Sequence, residues 1–381
     1  MPRELTLRDL NRATLARQLL LRREPLTVLD AVHRIVAIQA QEPPSPYIAL
    51  WNRVDPFDPA DLDAAFAAGT VVKAGLMRIT LHAVDAREYP VFHEAMRPTL
   101  RDSRLFDRRF TSTGLLVAEV DALVPEVVAF AAAPRSNAEV EALLAERLDR
   151  AVPVRGVWWA LRTFAPLIHA PTGGPWSFGP RPAYLAAPSP PPATGGAEPL
   201  TTLIRRYLEG FGPASAEDFA RFALHKRRTV RDAVQAMAGT LTTLAGPGGR
   251  ELFDVPGAPL PAADTPAPPR LMAMWDSTLL AYSDRSRIIR DDYRPLVIKR
   301  NGDVLPTLLI DGLVAGVWRP VAAGIEAHAF HPLPDDAWDG LAREAQGLLA
   351  LLAGRGPAPY GGRFARWWLD LPPGEIRILP A

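Results

Sequence analysis

The sequence predicts an α+β fold in which three tandem winged helix-turn-helix units precede a C-terminal β-barrel-like domain. Three observations predict it. Residues 199–262 read as three helices and a hairpin, a similar order recurs twice upstream, and residues 294–321 alternate β-branched and apolar residues between turn signals. Proline-rich stretches at 187–199 and 256–269 bracket the clearest unit, because proline lacks the amide donor that a continuing helix or central strand needs.

In that unit, "LTTLIRRYLEGFGPAS" reads as a helix ended by Gly210 and Gly212. Ser215 then N-caps "AEDFARFALHK" with Asp218 at the capping-box position, and "RTVRDAVQAMAG" follows as a third helix. "TLTTLAGPGGRELFDV" closes the unit as two strands around a Gly-Pro-Gly-Gly turn. Upstream, residues 5–23, 27–40 and 59–68 read as helices and 70–84 as strands. Residues 136–148 and 157–167 repeat the helical pattern before a Gly/Pro-rich turn with strand edges. These readings place units at 1–130 (with an inserted basic helix), 131–190 and 199–262. The barrel-like domain follows at 263–381, ending in a helix over 335–354.

Composition narrows the function. Net charge is +1, so any attraction for nucleic acid must be local. Two local clusters exist, one with Arg97, Arg101, Arg104, Arg108 and Arg109, the other with Lys226, Arg227, Arg228 and Arg231. The chain has no cysteine, which removes disulfides, thiolate metal ligands and thiol nucleophiles. It also has no apolar run of membrane-spanning length and no leader-like N-terminus, so no membrane contact and a cytoplasmic location are expected. "HEAMR" at 93–97 has Arg97 where a zinc-protease helix needs its second histidine, and no Walker loop, nucleophile elbow or dinucleotide fingerprint occurs.

The stretch "IVAIQAQEPPSPYIALW" (35–51) carries the chemistry. Thr27 caps its helix, and the buried stripe Val28, Val32, Ile35 puts Gln39 next in line. Pro43 forces the preceding residue out of helical geometry; if the chain is already extended from 39 to 41, period-2 geometry points Gln39 and Gln41 the same way. Two readings stand. Either Gln39 caps the last carbonyls of the helix while Gln41 is solvated, or the two amides act together. A glutamine cannot titrate, so such a pair can only orient water and offer a dipole to developing charge, which suffices when the leaving group is already activated.

Five stretches in this order, "IQAQEPPSPYIALW", "RITLHAV", "YLEGFGPASAEDFARF", "STLLAYSDRSRII" and "LPTLLIDGLVAGVWRP", resemble the AlkZ and YcaQ-like winged-helix DNA glycosylases along nearly the whole chain. The resemblance implies three winged helices and a β-barrel around a basic DNA channel. It also implies repair or self-resistance by excision of alkylated purines, including bulky natural-product adducts or interstrand crosslinks. The Gln-apolar-Gln motif of the AlkZ branch carries over onto Gln39 and Gln41, where the YcaQ branch has aspartate at the second position. Alkylation at N7 or N3 makes the purine cationic, so the base leaves neutral and a positioned water completes the reaction. Monofunctional hydrolysis without cofactor or metal is expected, on double-stranded DNA carrying alkylated bases, by a monomer. The competing class is a non-enzymatic winged-helix DNA-binding regulator.

Around the pair, Glu42 is a rival base that the Pro43 turn is expected to send to solvent. Tyr47, Trp51, His82 and Asp284 are candidate lining residues, although a buried aromatic or a satisfied structural histidine is the commoner role for such side chains. Candidate DNA contacts are Arg78, Arg97, Arg101, Arg104, Arg227, Arg228, Arg285 and Arg287, the last two in an Asp-Arg-rich stretch with Asp276.

Overall fold

The computed structural model describes residues 4–148, 152–188, 198–356, 359–360 and 364–380. Most of the predicted linker at 187–199 lies outside them. From the N-terminus run α1 (Leu7–Arg17), α2 (Val28–Ile35), β1 (Ile38–Gln39), α3 (Ser45–Trp51), α4 (Pro59–Ala67), β2 (Val71–Gly75) and β3 (Leu81–Asp85). Thr6 and Thr27 cap the first two helices through the backbone amides of Asp9 and Asp30. The sequence extends α2 to residue 40, but it stops at Ile35. Val36 takes φ 74°, which ends the helix, and Ile38–Gln39 become a strand paired antiparallel with β3, Gln39 opposite His82.

Next come α5 (Tyr89–Leu105), α6 (Arg108–Thr111), α7 (Val117–Phe130), β4 (Arg135–Ser136), α8 (Asn137–Arg147), α9 (Val154–Phe164), β5 (Leu167–Ala170) and β6 (Ala183–Ala186). A Ser136–Glu139 capping box starts α8. The strands of this segment do not form their own sheet. Lys73 of β2 pairs with His169 of β5, giving one six-stranded sheet in the order β1-β3-β2-β5-β6-β4.

Residues 199–262 fold in the expected order: α10 (Pro199–Phe211), α11 (Ala216–Ala223), α12 (Arg227–Ala236), then the hairpin β7 (Thr242–Ala245) and β8 (Glu251–Asp254). Ser215 and Asp218 form the capping box that opens α11. Tyr207, Phe211, Phe219 and Phe222 bring their rings together on the inner faces of α10 and α11. They belong to one core that continues into α5, α7, α8 and α9.

The C-terminal segment comprises β9 (Arg270–Leu271), α13 (Arg294–Val297), β10 (Thr307–Ile310), β11 (Leu313–Val321), β12 (Gly324–Ala329), α14 (Asp335–Leu352), α15 (Ala365–Leu369) and β13 (Glu375–Leu379). The barrel expectation is corrected here. The five strands run β13-β12-β11-β10-β9 with two free edges, so the sheet is open. Helix α14 packs against both edge strands and β12, and buries Trp338, Leu341, Ala345 and Leu348 where strand closure would otherwise be needed. This core is shared with α2, α3 and α4.

Helix α1 crosses between these bodies and is tied by polar side chains. Asn11 donates to the carbonyls of Arg287 and Gly312. Arg17 forms a two-point ion pair with Asp254 of β8, both contacts 2.7 Å, and also donates to Leu208 O. No helix among the described residues is long and apolar enough to cross a membrane.

Candidate active site

The strand that interrupts α2 delivers the glutamine pair. Gln39 is 2% exposed: its Nε2 donates to Thr80 Oγ1 at 2.9 Å and its Oε1 accepts the backbone N–H of Gln41 at 2.8 Å. The helix-capping reading of Gln39 is therefore not what the fold uses. Gln41 is exposed, with its Oε1 at 3.5 Å from the Leu81 amide, too long to hold the side chain firmly. Both side chains line the same cleft.

That cleft, about 1010 Å³, lies between the first sheet, α11 and the segment 275–303. Its wall carries Arg78, Arg221, Arg285, Arg294, Lys299 and Arg300 against only Asp291 and Asp303. A low-dielectric wall with this imbalance focuses a positive potential onto whatever enters. Arg78 sits on the short turn between β2 and β3, with left-handed backbone at Arg78 (φ 54°) and Ile79 (φ 60°). Burial, then the neighbouring Arg285 and Arg221, pull its pKa down to about 9, still protonated at neutral pH. His82 stands behind the turn, fully buried. Its Nδ1 is 3.1 Å from Thr80 O, so that nitrogen carries the proton and Nε2 is left to accept from Arg78 Nη2 at 3.3 Å. Burial, and secondarily Arg78, depress the His82 pKa to about 3, so the ring is neutral.

A sequence model of the AlkZ-like DNA glycosylases matches residues 32–351, most of the chain and both glutamines. The chain belongs to the AlkZ-like DNA glycosylase family. It is accordingly an enzyme that acts on DNA. No curated protein sequence matches it significantly. Among solved structures, the DNA glycosylase AlkZ of Streptomyces sahachiroi superposes with a TM-score of 0.76 over 94% of this chain and 99% of its own, at 23% identity. That likeness shows a common fold.

In this AlkZ-like glycosylase only part of the predicted site converges. Gln39, Gln41, Arg78 and Arg285 line the cleft. The other lining candidates do not. Tyr47 is wholly buried, its hydroxyl bound to Asp63 and Ser177, because the aromatic stripe of α3 faces the core. Trp51 lies under the Arg23 guanidinium (4.6 Å) and against Gly347 of α14. His82 supports the wall from behind, and Asp284 is exposed outside the cleft, closing a turn onto the Ser286 amide. Glu42 is half-buried rather than solvated, and close enough to raise the Lys73 pKa against the burial that lowers it.

The remaining predicted DNA contacts of the AlkZ-like chain are spread over its surface or spent internally. Arg97 pairs with Glu94, Arg101 with Asp121, and Arg227 with Glu217, while Arg228 is 3.9 Å from Asp232. Arg104 donates to Thr163 Oγ1 and, with Arg109, stacks on Trp159. Arg287 is buried over Tyr282 and donates to Pro213 O, a packing role that excludes it from the cleft. Sequence reading missed Arg221, Arg294, Lys299 and Arg300. The adjacent cations of "KRNGD" were the available signal, read there only as a turn; Trp275 anchors that turn by donating to Gly302 O at 2.8 Å.

Proposed function

We propose that this glycosylase excises purines made cationic by alkylation at N7 or N3, using water held by Gln39 and Gln41. The observation that carries the reading is that both amides open onto one cationic cleft, one pinned and one loosely held. An amide has two donor protons and two acceptor lone pairs. Gln39 spends one of each internally and keeps one of each; the Gln41 amide makes no firm bond. Together they offer a water both an acceptor and a donor. As the C1′–N bond breaks, its electron pair neutralises the cationic base, and the water oxygen bonds to the oxocarbenium carbon and releases its proton to solvent. Neither glutamine changes charge.

Hydrolysis rather than amine chemistry is favoured by the sheet register. Lys73, whose burial lowers its pKa to about 8, is opposite Ala83, as is Ile38, whereas Gln39 is opposite His82. Side chains alternate between faces, so Lys73 belongs to the face away from Gln39. We take the helix-hairpin segments as winged helices that hold the duplex along the cleft, and the acting species as a monomer. Large natural-product adducts and crosslinks are consistent with a cleft of this volume. The test is incubation with duplexes carrying N7-alkylguanine or N3-alkyladenine, followed by alkali. Strand scission at the lesion, with no enzyme–DNA adduct trapped by borohydride, is expected. Binding without abasic sites would leave a regulator; a trapped adduct would make a lysine the nucleophile.

A further inference from the structure

Among the described residues six arginines have a buried side-chain nitrogen without a partner, and two of them, both in the cleft wall, lack the carboxylate that the other four have. Arg17, Arg53, Arg270 and Arg319 each leave one nitrogen unpartnered, yet each has a carboxylate on another: Asp254, Asp276, Glu344 and Glu326. Arg285 is 7% exposed, has a buried Nε without partner, and makes no side-chain hydrogen bond or ion pair among the described residues. Arg78 has a buried Nη1 without partner; its guanidinium meets only the neutral His82 ring nitrogen and the face of Phe222 at 5.3 Å. Further cations add to the repulsion, Arg221 acting on both guanidinium groups and Arg294 on Arg285. Leaving cations desolvated beside one another is costly unless an anion joins them.

The backbone is also set for it. Consecutive left-handed residues without glycine, Arg78 and Ile79, are unfavourable for L side chains. The turn they form is bound to the catalytic strand: Thr80 Oγ1 donates to Met77 O at 3.0 Å and accepts from Gln39 Nε2 at 2.9 Å.

We propose that Arg78 and Arg285 form a receptor for a single backbone phosphate of the damaged strand, and that filling it fixes the 77–80 turn and thereby Gln39. The receptor does not depend on which residues are catalytic; its second half rests on Gln39 and Gln41 being the water-holding pair. A phosphodiester fits because its two non-bridging oxygens accept charge-assisted bonds from two guanidinium groups at once. Arg285 binds, whereas Arg78 binds and positions.

The test is a walk of single methylphosphonates, which are neutral, along the lesion strand of an N7-methylguanine duplex. Wild type, Arg285→Met and Arg78→Met are compared for affinity, single-turnover rate and melting temperature. One position is expected to weaken wild-type binding about tenfold and to have no further effect in Arg285→Met, whose salt slope is lower by about one. Arg285→Met should melt no lower than wild type, since it removes an uncompensated cation; an arginine with a packing role would lower it. Arg78→Met should lose more in rate than in affinity. Additive losses at every position, or inorganic phosphate alone relieving the defect, overturn the DNA-phosphate receptor. An unchanged rate at saturation in Arg78→Met overturns the positioning half. If wild type excises nothing, the glycosylase reading fails while the binding cycle still decides the receptor.

Discussion

Gln39 Nε2 donates to Thr80 Oγ1 at 2.9 Å across the β1–β3 edge, so one of the two amides in the cleft is locked while its neighbour Gln41 is exposed and only loosely held. In the proposed mechanism the asymmetry gives the pair different work: Gln39 would set where the water sits, and Gln41 would adjust as charge develops on the sugar.

Gln41→Ala should reduce single-turnover excision about 100-fold, the scale for losing one well-placed polar group at a reacting centre. Its melting temperature should not move, because the side chain is exposed and loosely bonded. Gln39→Ala should lose excision and about 1 kcal/mol of stability, since the Gln41 amide and Thr80 both lose a partner. Alkali-labile scission and denaturant unfolding measure the two effects. Near wild-type rates in both variants would refute the mechanism.

Glu42→Gln should leave the rate within about twofold of wild type, because the carboxylate is near enough to Lys73 to raise its pKa and does not line the cleft. A loss comparable with that of Gln41→Ala would make Glu42 the general base.

The parts of this arrangement that are local in the chain were legible in the sequence, and those made by distant pairing were not. Ser215 and Asp218 announce α11 because a capping box is written in four consecutive residues. The end of α2 is different: a valine at positive φ carries no local signal, and Gln39 becomes a strand residue only because β3, over forty positions away, is beside it. The Lys73–His169 pairing that fuses two sheets, and the convergence of Arg78 with Arg285, are likewise non-local. Tyr47 and Trp51 were ambiguous for another reason: an aromatic stripe has the same periodicity whether it meets a core or a ligand.

Stability should fall as pH is lowered from about 6.5. Burial depresses His82 and His169 to about 3 and His93 to about 4, with Arg78 adding to the effect on His82 and Lys73 to that on His169. In the unfolded chain these rings titrate near 6.5. Between about pH 6.5 and 3 the unfolded state therefore binds more protons, so stability rises with pH across that window and is indifferent to these groups above it. Excision behaves otherwise: neither glutamine titrates, and the single-turnover rate should be flat from about pH 6.5 to 8. A limb near pH 8 would implicate Lys73 instead.

The Arg17–Asp254 pair should matter to folding and not to chemistry. Both groups are buried, with 1% and 3% side-chain exposure, and they join α1 to β8 across 237 residues of sequence. Asp254→Asn leaves the guanidinium desolvated beside Leu208 O with no charge to meet it, which should cost about 3–5 kcal/mol in denaturant unfolding. Arg17→Met with Asp254→Leu removes both charges, so most of that loss should be recovered. The folded single variant should bind undamaged duplex as wild type does, because neither residue lines the cleft. A double variant as unstable as the single one would mean that α1 is held by the shape of the Arg17 side chain rather than by its charge.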